Sequence, residues 1–366
     1  MKKLKIIVSG GGTGGHIFPA ISIAKAIEKR INNVDFLFVG AKDRMEMEKI
    51  PNAGYNIIGL WINGFQRGLF LKNLSFPFKI IHSILKANRI IQDFNPDLVI
   101  GTGGYASGPL IYAAAKKGIP SIIQEQNSYA GVTNKILGKF VKKICVAYDK
   151  MERYFPKEKI ILTGNPIRDN VLFFEKNKEN AEKVFKIDSK KPTILVIGGS
   201  LGARTINDTI ANNIYRLKSM GINLIWQTGI SYQNIAQNII SKLNIDSIKT
   251  FAFIKQMDKA YAVADIIISR SGAIAISELC CVGKPVILVP SPNVAENHQY
   301  KNAQSLVNKN AAILVQDSNA NRKLVDTLEK LIKNKSLQEL LSSNIKKIGV
   351  KDAADRIAKI ALNLVK

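Results

Sequence analysis

Cysteine and histidine are scarce in this chain of 366 residues, which has three of each. The cysteines are Cys145, Cys280 and Cys281, and an odd number that includes two chain neighbours offers no disulfide framework. No Cys/His cluster has the spacing of metal ligands, and no Asp-x-Asp pair occurs that could bridge a metal ion to a phosphate. The sequence therefore predicts reduced cysteines, and we expect neither a metal site nor a cofactor.

Long hydrophobic runs are missing as well. No stretch approaches the roughly 18 to 20 apolar residues of a spanning helix. The first apolar segment, KIIVS at residues 5–9, runs directly into glycines and is too short for a signal peptide. We therefore expect a cytosolic protein that does not span a membrane, and binding to a membrane surface stays open.

Acidic residues are few, with 28 Asp and Glu against 53 Lys and Arg, which gives a net charge of +25. This excess favours an anionic partner, such as nucleic acid, phosphorylated metabolites or anionic lipid. It is spread over both halves of the chain, so a lysine-rich composition alone is an alternative explanation. Outside residues 60–90 aromatic and basic residues do not interleave, and no nucleic-acid-binding motif occurs, so nucleic acid is not the expected partner.

Short β-branched runs alternate with helix-length amphipathic stretches, a pattern typical of parallel βαβ units. Three segments of the first half are echoed, in the same order, in the second half. They are KIIVSGGGTGG (5–15) with TILVIGGSLGA (193–203), DLVIGTGGY (97–105) with DIIISRSGA (265–273), and GIPSII (118–123) with GKPVIL (283–288). The sequence therefore predicts an α/β protein with two Rossmann-like domains, the first ending near Pro166.

The first glycine loop matches the spacing Gly10-x-Gly12-x-x-Gly15 of a dinucleotide fingerprint. However, the second predicted strand closes at residues 39–41 without the acid that would bind a ribose, which argues against NAD(P). The same loop carries His16 where a helix N-terminus attracts phosphate. His16 is therefore a candidate base or phosphate ligand, and a capping or exposed histidine is the alternative.

Two further glycine loops lie in the second half. GGSLGAR (198–204) and RSGA (270–273) each place small residues and a hydroxyl where a strand turns into a helix, which suits a diphosphate. Glu278, two turns into the second of these helices, is placed to accept hydrogen bonds from a ribose. The alternative for Glu278 is a solvated helix acid.

In these motifs the chain resembles the MurG family of UDP-N-acetylglucosamine transferases, over essentially its full length. The matching segments are GGGTGGHIFP (10–19), GGYASGP (103–109), EQN (125–127), GNPIR (164–168), GGSLGAR (198–204), SRSGA (269–273) with Glu278, and NHQY (297–300). The resemblance implies a GT-B fold, with two Rossmann-like domains of parallel sheets facing across a cleft. Residues 1–165 would bind acceptor and membrane, with a last helix in 352–366 packing back on them, and residues 166–351 would bind UDP-GlcNAc.

The resemblance also assigns the reaction and its residues. It implies an inverting transfer of GlcNAc from UDP-GlcNAc to undecaprenyl-linked lipid I, which forms lipid II in peptidoglycan synthesis. The catalytic candidates are His16, favoured as the base, and Glu125 as its rival. The substrate-binding candidates are Thr13, Gly14, Gly15, Tyr105, Asn127, Arg168, Ser200, Ile254, Arg270, Ala273, Ile274, Ala275, Ile276, Ser277, Glu278 and Gln299.

Within that set the resemblance places the Ile254 main chain at uracil, Glu278 at ribose, Ser200 at diphosphate and Gln299 at GlcNAc. Two positions depart from the family pattern. Ala275 stands where many members have Thr, so a hydroxyl contact to phosphate is missing there. Gln124 stands where members often have His before Glu-Gln-Asn, which weakens any scheme with a histidine at that position.

Residues 60–90 contain five basic and no acidic side chains, interleaved with aromatic and aliphatic ones. This composition suits an interfacial patch on an anionic membrane, and packing of a helix pair in the core is the alternative. We expect a peripheral protein on the cytoplasmic face of the bacterial membrane. The nearest rival function is another GT-B enzyme with a diacylglycerol or sterol acceptor.

Overall fold

Two compact units make up the protein in the computed structural model, which describes residues 3–64, 75–199 and 201–365. Unit 1 comprises Met1–Arg168 and Asp352–Lys366, and unit 2 comprises Asp169–Lys351. Each unit contains one parallel sheet with helices, which confirms the predicted α/β class. None of the described helices combines the length and hydropathy needed to cross a bilayer.

Apolar β-branched runs form the strands of unit 1, and the central ones are buried on both faces, as parallel sheets require. The strands are β1 Leu4–Ser9, β2 Val34–Ala41, β3 Asn56–Leu60, β4 Leu98–Gly101, β5 Ser121–Glu125, β6 Lys143–Val146 and β7 Ile160–Leu162. Within the described residues they form a seven-stranded sheet in the order β3-β2-β1-β4-β5-β6-β7. All neighbouring strands run parallel.

Helices connect these strands. They are α1 Gly14–Glu28, α2 Glu46–Lys49, α3 Phe76–Phe94, α4 Ser107–Lys116 and α5 Val132–Leu137. Short 3-10 turns lie at Pro51–Ala53, Met151–Arg153 and Lys157–Lys159. Among the residues described in this unit, one apolar cluster contains Leu110 and Ile90, and another contains Ile23 and Phe38.

The six strands described in unit 2 are again parallel. They are β8 Thr193–Ile197, β9 Asn223–Gln227, β10 Ile248–Phe251, β11 Ile266–Ser269, β12 Val286–Leu288 and β13 Ile313–Leu314. Their order is β10-β9-β8-β11-β12-β13. Trp226, Leu324 and Leu341 belong to the core of this unit.

The helices of unit 2 surround this sheet, and one more helix belongs to unit 1. They are α6 Asp169–Leu172, α7 Lys178–Phe185, α8 Arg204–Asn212, α9 Ile214–Ser219, α10 Ile230–Leu243, α11 Met257–Val263, α12 Ala273–Val282, α13 His298–Val307, α14 Ala320–Lys333 and α15 Lys335–Ile348. Short 3-10 turns lie at Phe174–Asn177, Ala295–Asn297 and Asp317–Asn319. The last helix, α16 Ala353–Asn363, packs on α1, where Ile357 and Ala361 are buried with Ile23 and Ile27.

Both sheets reverse their strand order at one point. In unit 1 this point lies between β1 and β4, where Ser9 pairs with Gly101, and in unit 2 between β8 and β11, where Ile197 pairs with Ser269. In open parallel sheets the loops at the carboxyl ends of such strands diverge and leave a crevice that binds ligands. The predicted glycine loops leave the sheets at these two points.

Candidate active site

The glycine loop of unit 1 packs against the loop that follows β4 too closely for side chains. A Cβ at Gly10 would lie 1.9 Å from Thr102 Oγ1, and one at Gly104 would lie 2.4 Å from the Gly11 carbonyl. Gly12 has a positive φ of 86°, which glycine adopts without steric cost. These glycines therefore bring two backbone segments together at the reversal point of the sheet.

Glu46, at the start of α2, lies beneath this loop. Its carboxylate is fully buried and accepts hydrogen bonds from the main-chain N–H of Gly12, at 3.1 and 3.0 Å, and of Ala41, at 3.0 Å. A Cβ at Gly11 would lie 2.1 Å from Glu46 Oε1. Sequence analysis missed Glu46, because nothing local marks an acid 34 residues along the chain as the loop's partner.

His16 lies half-buried in the first turn of α1, beside the same pair of loops. Its Nδ1 is 3.0 Å from the main-chain oxygen of Thr102, and the Thr102 hydroxyl donates to the His16 carbonyl at 2.8 Å. Because a carbonyl oxygen can only accept, Nδ1 carries the proton of this hydrogen bond. In the neutral ring the lone pair is therefore on Nε2, the arrangement that a base acting through Nε2 needs.

The start of α1 carries three more of the predicted residues. Thr13 has extended backbone angles and immediately precedes Gly14 and Gly15 in the first turn. The positive end of the helix dipole lies here, and the turn contains no acidic side chain. Arg168, predicted at the UDP-sugar, lies in unit 1 with its guanidinium 5.4 Å from the ring centre of Phe18 on this helix.

Tyr105 covers the glycine loop from the other side. Its ring would contact a Cβ placed on Gly12 or on Gly64, at 3.2 and 3.1 Å. Burial raises the pKa of its hydroxyl, with Glu46 adding to the effect and Arg44 opposing it. Tyr105 therefore keeps its proton at neutral pH and can donate a hydrogen bond.

Glu125, the predicted rival base, is buried at the end of β5. Its carboxylate accepts from Asn127 N at 3.0 Å, Asn127 Nδ2 at 3.3 Å, Gly131 N at 3.0 Å and Asn134 Nδ2 at 2.9 Å. These donors occupy both oxygens and tie down the loop 126–131. The geometry therefore favours a structural role for Glu125.

The glycine loop of unit 2 follows β8 and is packed as tightly as its counterpart. A Cβ at Gly202, where φ is +81°, would lie 2.1 Å from the Thr228 carbonyl. Ser200, predicted at the diphosphate, lies outside the described residues. Gln227 donates from Nε2 to the Gly199 carbonyl at 2.9 Å, and its Oε1 accepts from Ile254 N at 2.9 Å. A contact between the Ile254 main chain and a nucleobase would therefore use the carbonyl.

Arg270 follows β11, where it was predicted to contact substrate. Its guanidinium pairs with Asp317 and donates to the Val289 carbonyl at 2.9 Å. Arg270 therefore holds together the segments that follow β11, β12 and β13. The sequence gives no local sign that Asp317 is the partner of Arg270.

Helix α12 begins directly after this loop and points its N-terminus at the edge of the sheet. Gly272 precedes it with extended angles (φ −63°, ψ 146°), and no acidic residue lies in the first turn. Ser271 donates to the Gln299 carbonyl at 2.9 Å, and the Gln299 side chain accepts from Ser291 N at 2.9 Å. The main-chain N–H groups around Ala273 therefore form an anion-binding end, with Gln299 beside it.

The remaining predicted positions of α12 differ in the exposure of their side chains and in their hydrogen bonds. Ile274 and Ile276 are buried, and Ile276 N already donates to the Gly272 carbonyl, so the predicted substrate contact is not available to the Ile276 side chain or N–H. Ala275 is half-buried, and Ser277 donates to the Ala273 carbonyl at 3.0 Å.

Glu278 is only 4% exposed and accepts a hydrogen bond from the Tyr261 hydroxyl at 3.2 Å. This burial rules out the alternative of a solvated helix acid. A buried carboxylate held by a fixed donor suits the recognition of a hydroxyl-bearing ligand. Sequence analysis did not identify Tyr261 as the partner of Glu278. Within the described part of the chain, no group of three or more His, Cys, Asp or Glu side chains is placed to hold a metal ion.

Comparison with known proteins identifies the family. Residues 6–146 match the glycosyltransferase family 28 N-terminal domain, and residues 193–357 match the family 28 C-terminal domain. The chain is 53% identical over 365 residues to the UDP-N-acetylglucosamine–N-acetylmuramyl-(pentapeptide) pyrophosphoryl-undecaprenol N-acetylglucosamine transferase of Cytophaga hutchinsonii, covering 100% of this chain and 98% of the relative. It is 51% identical to the enzyme of the same name from Flavobacterium psychrophilum, covering 98% of each chain.

Among solved structures, the crystal structure of Acinetobacter baumannii MurG matches with a TM-score of 0.78 and 27% identity, covering 99% of this chain and 100% of that one. Sequence and structure therefore agree over essentially the whole length. The chain is a glycosyltransferase of family 28 with the GT-B fold, and it belongs to the MurG family of N-acetylglucosamine transferases.

Proposed function

We propose that this enzyme transfers GlcNAc from UDP-GlcNAc to the 4-hydroxyl of MurNAc in undecaprenyl-pyrophosphoryl-MurNAc-pentapeptide, lipid I, and so forms lipid II for peptidoglycan. The observation that carries the proposal is the identity of about half of all positions, along the full length, to relatives named for this transfer. The two crevices support it, because both substrates of the reaction carry a diphosphate and each unit offers a helix N-terminus at the edge of its sheet.

Residues 166–351 form the donor-binding part in this proposal. The N-terminus of α12 binds the UDP diphosphate, Glu278 accepts hydrogen bonds from ribose hydroxyls, and the Ile254 carbonyl accepts from uracil. Gln299 lies beside the helix start, where the GlcNAc hydroxyls follow the diphosphate. The positive helix end also stabilises the charge that develops on departing UDP, so the mechanism calls for neither a metal ion nor a cofactor.

Residues 1–165, with α16, form the acceptor-binding part. Thr13, Gly14 and Gly15 present main-chain N–H groups to the acceptor diphosphate, and Tyr105 and Asn127 lie on the flanking loops. The MurNAc 4-hydroxyl oxygen attacks C1 of GlcNAc while the bond from C1 to the UDP oxygen breaks, which inverts the α-linkage to β. His16 Nε2 takes the hydroxyl proton.

Helix α3 is the proposed membrane contact. Phe78, Ile81 and Leu85 lie along one stripe and are 71%, 58% and 65% exposed, whereas the opposite face packs into the core. The ammonium group of Lys79 lies 5.3 Å from the ring centre of Trp61, beside this stripe. An apolar stripe edged by cations suits an anionic leaflet. Residues 65–74 of the predicted patch lie outside the described residues.

This surface supports a peripheral position on the cytoplasmic face of the bacterial membrane, where lipid I is held by its undecaprenyl chain. For residues 60–90 the sequence left two alternatives open, packing in the core and binding to a membrane, and different residues of the segment support each of them. Ile62, Ala87 and Ile90 pack inside unit 1, and the stripe of α3 is exposed and available to lipid.

The test is transfer of labelled GlcNAc from UDP-GlcNAc to a soluble lipid I analogue, with EDTA present and a diacylglycerol acceptor in parallel. We expect transfer to the lipid I analogue alone. Turnover on the glycerolipid without transfer to lipid I would refute the proposed acceptor and leave the donor assignment intact.

A further inference from the structure

Buried amide side chains beside His16 form one continuous hydrogen-bonded chain. Asn165 Nδ2 donates to the main-chain oxygen of Gln126 at 3.0 Å, and Gln124 Nε2 donates to Asn165 Oδ1 at 2.8 Å. Gln126 Nε2 in turn donates both to Gln124 Oε1 and to the main-chain oxygen of Thr102. That oxygen is the one that His16 Nδ1 contacts.

The chain of amides has only one consistent direction. The Gln126 main-chain oxygen can only accept, so Asn165 must turn its NH₂ group toward it and its oxygen toward Gln124. Gln124 then turns its oxygen toward Gln126, whose NH₂ group must face Thr102. The Gln126 side-chain oxygen is left buried without a hydrogen-bond partner among the described residues, which costs free energy and shows that the other contacts determine its orientation.

The backbone that follows Thr102 does not by itself fix the orientation of the Thr102 carbonyl. Gly103 and Gly104 follow it with φ of +94° and +78°, and glycine adopts positive and negative φ about equally readily. The peptide plane between Thr102 and Gly103 can therefore turn over without a steric cost in φ at Gly103. If it did, the Gly103 N–H would face the His16 ring, Nδ1 would have to accept, and the ring proton would move to Nε2.

We propose that Gln126 is a positioning residue that selects the tautomer of His16. By holding the Thr102 carbonyl toward the ring, its amide keeps the proton on Nδ1 and the lone pair on Nε2. The consequence for catalysis rests on the proposed function, in which His16 is the base. The tautomer itself can be measured without any turnover.

The first experiment is long-range ¹H–¹⁵N NMR of the full-length protein labelled with ¹⁵N-histidine, above the pH at which His16 is protonated. The chain has only three histidines, so His16→Gln assigns the His16 signals directly. We expect the His16 proton on Nδ1. A wild-type ring with its proton on Nε2 would overturn the proposal without recourse to any variant.

The second experiment compares Gln126→Leu with wild type. We expect a mixture of His16 tautomers and a kcat lower by about 10- to 100-fold, with the Kd for UDP within about twofold of wild type. An unchanged tautomer in this variant would overturn the role of Gln126. Gln124→Leu, which acts one step further along the chain, should give the same shift in weaker form and serves if Gln126→Leu does not fold.

Asn223→Leu is the matched control. Asn223 is an equally buried amide in unit 2, where Nδ2 donates to Asp188 O, Lys191 O and Thr193 Oγ1. We expect lower stability with the wild-type tautomer; an equal tautomer change in this control would attribute the effect to general loosening and overturn the proposal. If wild-type protein shows the Nδ1 tautomer but makes no lipid II analogue, the proposed function fails and the structural inference stands.

Discussion

Glu46 and Glu125 are buried carboxylates of unit 1 that bind the backbone. Glu46 holds the glycine loop through Gly12, and Glu125 holds the next loop through Asn127 and Gly131. A buried carboxylate that accepts main-chain N–H groups satisfies donors that would otherwise lose water without compensation. These residues therefore determine the shape of the loops on which the groups proposed to meet substrate lie.

Glu46→Gln tests this role through stability. The amide keeps the shape of the side chain, and its oxygen can take the place of Oε1, which accepts from both Ala41 and Gly12. Its NH₂ group then replaces Oε2 and faces the Gly12 N–H, from which it cannot accept, so we expect the free energy of unfolding to fall by about 2 kcal/mol. Denaturant unfolding followed by circular dichroism measures the change. Glu48→Gln is the control, because Glu48 lies on the same helix with an exposed side chain. Equal effects of the two substitutions would contradict the assignment.

Substitutions of His16 and of Glu278 should affect different quantities, turnover in the first case and donor affinity in the second. His16→Ala removes the proposed base, so kcat should fall by about 100-fold or more while the affinity for UDP-GlcNAc is largely retained. Glu278→Ala removes the proposed ribose contact, so the affinity should weaken most. Steady-state kinetics with calorimetric titration of UDP distinguishes the two. Wild-type turnover in His16→Ala would show that another group accepts the proton.

The sequence predicts the site residues that lie in local motifs, but not those whose role depends on long-range hydrogen bonds. Gly10, Gly12 and His16 were predicted because a strand, a glycine turn and a helix start leave a local pattern. Glu46 and Gln126 were missed because their importance comes from partners 34 and 24 residues away. Long-range hydrogen bonds of this kind depend on which strands lie side by side in the sheet, and local sequence patterns do not determine that order.

Among the elements, helix α14 is tied to α9 by a small ionic network. Glu329 accepts from Lys333 on its own helix and from Arg216 on α9, both at 2.6 Å, and Asp326 also pairs with Arg216. These bonds, from Lys333 first and then Arg216, lower the pKa of Glu329 from 4.5 to about 2. The folded state therefore favours the ionised carboxylate.

This shift predicts the pH dependence of stability. Because the folded pKa lies below the unfolded value, the contribution of Glu329 is complete above about pH 4.5 and disappears as the pH falls toward 2. Glu329→Gln should be less stable than wild type at pH 7, and the difference should shrink between these two values. The contribution is small because the network is exposed. Glu339→Gln, on the neighbouring helix, is the control, and a difference that grows on acidification would refute the linkage.

Helix α3 shows what periodicity can and cannot predict. The spacing of its apolar residues indicates a helix, but apolar residues lie on both faces, at Ala87 and Ile90 inside and at Phe78 and Leu85 outside. Only the packing of the helix decides which face is buried. The sequence thus left core packing and membrane binding open for the same segment.

At the scale of the whole molecule, the charge of +25 and the stripe on α3 predict binding to anionic lipid. The triple substitution Phe78→Ser, Ile81→Ser and Leu85→Ser should lower partitioning onto phosphatidylglycerol vesicles at least about tenfold. The reason is that full burial of one such apolar side chain contributes about 1.5 to 3 kcal/mol, and partial entry into lipid contributes less. Vesicle co-sedimentation measures it. Tyr215→Ser is the control, because Tyr215 is 70% exposed on unit 2. Retained binding by the triple variant would place the membrane contact elsewhere.

The return of α16 to unit 1 has an evolutionary consequence. Since Asp352–Lys366 belongs with Met1–Arg168, unit 2 is one uninterrupted segment of the gene, and neither of its boundaries cuts a sheet. Two recombination events, at 168/169 and 351/352, would exchange the whole segment as a cassette. Under the proposed assignment, a lineage could in this way replace its sugar-nucleotide preference in one step and inherit its lipid acceptor unchanged.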